Sequence, residues 1–109
     1  MKKYFAAWAL LLSINAFFIV SMSAHANESI HRKANCSICH SVEIPRIGPA
    51  YKDIAARYRG DDDAPKKLFD KVRKGGAGNW GEVPMVPYPI DAISDDDLKT
   101  VIHWILFRK

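Results

Sequence analysis

Cysteine is nearly absent: the chain has two, and both fall within one stretch of five residues. A structural zinc site wants four ligands. Beyond Cys36, Cys39 and the adjacent His40, the chain after residue 26 offers only His31 and His103 as further histidines. Strand-like alternation of apolar and polar residues is almost missing as well. That speaks against a thioredoxin-like arrangement around the cysteine pair, although thiol and zinc chemistry both stay open at this point. No internal repeat occurs. At 109 residues there is room for one domain.

An excess of charge is lacking too, once the first segment is set aside. Lys2 and Lys3 open an apolar run from Tyr4 to Val20, and Ser21 to Ala26 places Ala24 and Ala26 at the small-residue positions of a signal peptidase site. We read residues 1–26 as a signal peptide cut after Ala26 and residues 27–109 as the mature domain. An uncleaved membrane anchor is the rival reading of the same run. The 83 residues left after removing 26 carry 14 basic and 12 acidic side chains. A balance of +2 gives no argument for nucleic acid. A domain this small buries little core and often needs a disulfide, metal or cofactor.

The cysteines read Cys36-Ser37-Ile38-Cys39-His40, and C-x-x-C-H is the attachment pattern of c-type haem. Near a helix end the two sulfurs lie one turn apart, each able to add to one haem vinyl group. The histidine that follows then gives the iron its proximal imidazole.

A low-spin electron carrier needs a second axial ligand. Met1 and Met22 belong to the leader, so Met85 is the only methionine of the mature chain. It sits in a glycine- and proline-rich run, Gly75 to Pro87, that suits neither a helix nor a sheet interior. Pro84 stiffens its approach. His103 falls off the apolar face of the last helical segment, and His31 is expected on the surface of the first, so Met85 is the expected ligand.

Four helices are expected. The first runs from about Glu28 to Cys39, and the second, near Ala50 to Arg59, carries Tyr51, Ile54, Ala55 and Tyr58 inward. The third follows Pro65, buries Leu68, Phe69 and Val72 and ends at Gly75. The fourth opens on Ser94 with Asp97 three on, a capping-box pattern, and buries Leu98, Val101, Ile102 and Ile105. Asp61, Asp62 and Asp63 read as a solvated turn. Stripes this narrow are expected to face a porphyrin as much as one another, which would leave the apoprotein poorly folded.

Taken together, residues 27–109 resemble the class I cytochromes c, and within them the short bacterial monohaem subgroup that shuttles electrons in the periplasm. The resemblance rests on Cys36 to His40, Gly48 to Ala55, Asn79-Trp80-Gly81 leading to Pro84-Met85, and Ser94 to Asp97 before a helix containing Trp104. It implies an all-α cytochrome c fold of about four helices around one covalent haem, with an irregular ligand loop. It also implies thioethers at Cys36 and Cys39 and iron ligation by His40 and Met85. The Pro49 carbonyl would orient His40, and the Trp80 indole would donate to a haem propionate. One departure stands out: some members have a shorter connection after the methionine, with an asparagine bonded to its sulfur, and here Tyr88 stands near that place.

The implied protein is a periplasmic, monomeric single-electron carrier and not an enzyme. Its partners would be redox proteins such as a reductase, an oxidase or a membrane cytochrome complex, with no nucleic acid and no membrane contact except through them. Arg32, Lys33, Arg46, Lys52, Arg57 and Arg59 could form a basic rim for docking, or an ordinary solvated surface. The alternative class is a haem sensor or peroxidase-like protein with an open sixth site.

Overall fold

A computed structural model describes residues 27–109. The expected signal peptide, residues 1–26, lies outside the described residues. The described part is mostly helical, as expected, with one small sheet.

The first helix, α1, covers 27–33 and does not run on to Cys39. Asn35 interrupts it with a left-handed backbone, φ 62° and ψ 16°. Asparagine tolerates that conformation and commonly ends helices in this way. A single 3-10 turn, Cys36–Ile38, then carries the cysteines. The expected spacing survives the break, because the Cys39 and His40 amides both donate to the Cys36 carbonyl, at 3.2 and 2.9 Å.

Helix α2 spans Tyr51–Arg57, a little shorter than expected, with Asp53 in its first turn where the helix dipole favours a negative charge. Helix α3, Ala64–Lys74, has Pro65 in its first turn and Lys71, Arg73 and Lys74 in its last. It stops at Gly75. Helix α4, Asp95–Leu106, is capped by Ser94, whose Oγ accepts from the Asp97 amide at 3.1 Å.

Between α3 and α4 the ligand segment is more regular than an irregular loop. Strands β1 (Gly76–Gly78) and β2 (Gly81–Met85) pair antiparallel, with Gly76 opposite Met85 and Gly78 opposite Gly81. In a two-stranded sheet each strand is an edge, where Pro84 is tolerated.

Helix α4 packs on both α2 and α3. Its buried face holds the expected Leu98, Val101 and Ile102, with Trp104 added and the expected Ile105 only half-buried, and it meets Tyr51 and Ile54 of α2 and Leu68 of α3. Ala34 and Ile93 complete the core, while His103 is exposed as its helical angle implies. Among the described residues no helix is long and apolar enough to cross a membrane.

Candidate functional site

The core is not closed. A cavity of about 310 Å³ opens between the helices, and its walls come from the same side chains that form the core: Tyr51, Ile54, Leu68, Leu98, Val101 and Ile102. The apolar stripes therefore face a shared space as well as one another. Cys36, Cys39 and His40 line it from the 3-10 turn, and Met85 lines it from the end of β2.

His40 is held from two directions. Its Nδ1 lies 2.8 Å from the Pro49 carbonyl oxygen. A carbonyl only accepts, so Nδ1 carries the proton and donates, which leaves the Nε2 lone pair free for a metal. Gly48 passes directly beside the ring: a Cβ there would come within 2.5 Å of His40 Cε1. The imidazole also stacks on Tyr51, with ring centroids 5.3 Å apart and planes 20° from parallel.

The Met85 segment is clamped from α3. The Tyr88 amide donates to the Val72 carbonyl at 2.9 Å. Arg73, whose side chain is 17% exposed, donates to the Tyr88 and Pro89 carbonyls at 3.0 and 3.2 Å and pairs with Asp95 at 2.6 Å. Gly75 makes the approach possible, since a Cβ there would lie 2.4 Å from the Met85 carbonyl oxygen.

Trp80 also lines the cavity and is 41% exposed, with the Arg57 guanidinium 4.5 Å from its ring centroid. Arg57 donates to the Asn79 carbonyl as well, fixing this corner of the hairpin. Elsewhere the basic residues are partly engaged: Arg32 pairs with Glu28 and Lys52 with Glu43. Asp61 accepts from Lys67 and from the Asp63 amide, so the acidic turn is locally satisfied.

The structure thus brings all six sequence-selected residues, Cys36, Cys39, His40, Pro49, Trp80 and Met85, to one cavity. One expectation fails: His31 is buried, 6% exposed, and not on the surface. It fills the space between α1, Tyr51 and Trp104, a position that periodicity along a helix of seven described residues could not reveal. Sequence reading also missed Gly48, Arg73 and Tyr51 as parts of the site. Their roles depend on contacts 8 to 16 residues away in the chain; the stretch Gly48 to Ala55 carries the family resemblance, but nothing in it shows that Gly48 and Tyr51 press on the His40 ring.

The residues suit a covalently held haem. The walls are apolar, two thiols lie one turn apart, and the donor set pairs an imidazole of fixed tautomer with a soft thioether. Burial pushes the Cys36 thiol above its ordinary range, which disfavours the thiolate that disulfide exchange requires.

Comparison with known proteins agrees. The family model described as "Cytochrome c" matches residues 27–108. Cytochrome c-551 of Allochromatium vinosum is 48% identical over 87 residues, covering 80% of this chain and 90% of that protein. Cytochrome c-552 of Nitrosomonas europaea is 40% identical over 103 residues, covering 94% and 97%. The crystal structure of the Nitrosomonas europaea protein superposes with a TM-score of 0.69 at 44% identity, over 75% of this chain and 99% of that one. Sequence, cavity and relatives converge on one statement: the chain belongs to the cytochrome c family, the small class I monohaem cytochromes of bacteria, whose cofactor is covalently bound haem c with its iron.

Proposed function

We propose that this protein is a periplasmic single-electron carrier, exported by a leader cut after Ala26, that works between respiratory redox proteins without catalysing a reaction. The observation that carries this reading is the convergence of Cys36, Cys39, His40 and Met85 on one apolar cavity.

Haem bound there supplies one-electron chemistry at its iron. Cys36 and Cys39 would form the two thioether links, which would prevent loss of the group. His40 offers its Nε2, because the Pro49 carbonyl occupies Nδ1–H and Gly48 and Tyr51 limit rotation of the ring. Met85 would offer its thioether sulfur to the iron from a segment held by the clamp from Arg73 and Val72. A thioether favours ferrous iron, and the apolar walls disfavour the added charge of the ferric state. With the iron held by both His40 and Met85, no position would be left for a substrate, and electrons would pass at the exposed side of the cavity. Trp80 lines the cavity and stays 41% exposed, and its indole N–H would donate to a haem propionate there.

Ile47, Trp80, Val83 and Val86 line the cavity while staying substantially exposed. An apolar collar at the mouth suits brief docking of redox proteins, such as a reductase, an oxidase or a membrane cytochrome complex.

Visible spectra of the matured protein, oxidised and reduced, with a pyridine haemochrome assay, test the reading. We expect a c-type haemochrome and the weak near-infrared band of methionine-ligated ferric haem. Haem without that band would remove Met85 from the ligand set and favour a sensor or peroxidase-like protein. Matured protein without haem would overturn the reading.

A further inference from the structure

Among the described residues, His31 is the one buried basic side chain, and the carrier mechanism makes no use of it. Its Nδ1 lies 2.8 Å from the Tyr51 hydroxyl, and the two rings meet edge to face with centroids 5.1 Å apart. The face of Tyr51 stacks on His40. Cys36 lies close enough to Tyr51 for each to shift the other's titration. One tyrosine therefore stands between a buried imidazole and the proximal histidine. On the reading of this cavity as a haem site, we infer that His31 and Tyr51 form a redox-linked proton site, His31 gaining a proton on reduction and losing it on oxidation.

The physical basis is a reversal of one hydrogen bond. A neutral His31 with its proton on Nε2 accepts from the Tyr51 hydroxyl at Nδ1. A protonated His31 can only donate there, so the Tyr51 oxygen becomes the acceptor and its own hydrogen must turn elsewhere. Protonation of His31 thus reorients the hydroxyl dipole of the tyrosine that stacks on His40 and adds a positive charge in a buried place.

The groups that face His31 can be named element by element. Glu28 and Arg32 flank it on α1, the first favouring the imidazolium and the second opposing it. Tyr51 meets it from α2, with Cys36 and His40 on the other side of that tyrosine. From α4 it meets the uncharged Trp104, whose ring carries the Arg108 guanidinium at 4.7 Å. Burial first, then His40 and Arg32, push the His31 pKa below its ordinary value. Reduction removes one positive charge from the iron centre and so favours the imidazolium. By linkage, a proton on His31 raises the reduction potential by the same free energy. Within the working window the balance is one electron from the redox partner and one proton from solvent onto His31 Nδ1, both released on oxidation.

Potentiometric titration of the holoprotein between about pH 4.5 and 8 reads the coupling, together with NMR titration of the His31 ring in each oxidation state. We expect His31 to bind its proton on the order of threefold to tenfold more tightly in the reduced protein, where tenfold equals about 59 mV in midpoint potential. The potential should fall as pH rises through this window. H31Q, which keeps a hydrogen-bonding partner for Tyr51 but does not titrate, should lose that part of the slope. Equal proton affinity of His31 in the two oxidation states would overturn the proton site and leave the carrier reading standing. So would an unchanged pH profile in H31Q, and the wild-type NMR titration decides the matter should that variant fold poorly. Matured protein without haem would overturn the carrier reading and the proton site together.

Discussion

The Nδ1–H of His40 donates to the Pro49 carbonyl oxygen across 2.8 Å, and Gly48, one residue earlier, lies against the same ring. A turn that brings its carbonyl this close leaves no room for a side chain at the preceding residue. The tautomer of His40 is therefore set by backbone, and its ring orientation by that backbone together with the stacked Tyr51 ring.

Gly48→Ala should damage the site without replacing any of its cofactor-holding side chains. The added Cβ would meet His40 Cε1 at 2.5 Å, and a ligated ring cannot swing away. We expect a loss of about 1–3 kcal/mol from overpacking. It should be read by guanidinium unfolding of the holoprotein, with altered hyperfine-shifted His40 resonances in the ferric state. Wild-type stability and unshifted resonances would show that the ring is not confined here.

Met85→Ala should open the sixth position. The near-infrared band should vanish, carbon monoxide should bind the ferrous protein without denaturant, and the potential should fall. Its fall should be on the order of 0.1 V or more, within the ~0.8 V that axial ligands span. A variant that keeps the band would place the second ligand elsewhere.

Arg73→Ala removes both loop contacts, to Tyr88 and Pro89, and the pair with Asp95. Leaving two carbonyls to find water should weaken the Met85 segment by about 1–3 kcal/mol. Hydrogen exchange at the Tyr88 amide, which bonds to Val72, should speed up more than exchange in α4. Uniform acceleration over the whole chain would argue against a local clamp.

The burial of His31 predicts an acid-sensitive fold. Its native pKa lies below the unfolded value of about 6.5, so the unfolded chain binds the extra proton. The stability contributed by neutral His31 is full above about pH 6.5 and is lost as pH falls through that value toward the native pKa. His31→Phe should remove this part of the pH dependence of unfolding. Identical slopes for variant and wild type between about pH 4.5 and 7 would show that His31 is not held neutral.

Without its prosthetic group the chain should lose fixed packing. Leu98 is 1% exposed and Val101 and Ile102 are buried, yet all three also face the cavity. A Cys36→Ser and Cys39→Ser double variant, unable to attach haem, should keep some helical far-UV signal and lose near-UV structure. A cooperative unfolding transition like that of the wild type would mean that the helices pack adequately alone.

Much of this molecule follows from local chemistry and was legible in the residues themselves. The C-x-x-C-H spacing works through one turn of backbone, Ser94 caps α4 through a bond three residues long, and Pro65 and Gly75 bound α3 by their backbone preferences. Met85 emerged by elimination, because no other methionine follows residue 26. What the sequence could not settle depends on which distant surfaces meet. The left-handed turn at Asn35 ends α1 early, and the Gly76–Met85 pairing makes a hairpin of a segment whose composition suggests only a loop. The burial of His31 arises only when α2 and α4 bring Tyr51 and Trp104 to it. Periodicity reports the face of one helix, whereas a buried histidine, a clamp from Arg73 and a glycine pressed against a ligand are properties of pairs. Such pairs are decided when the chain closes around its cavity.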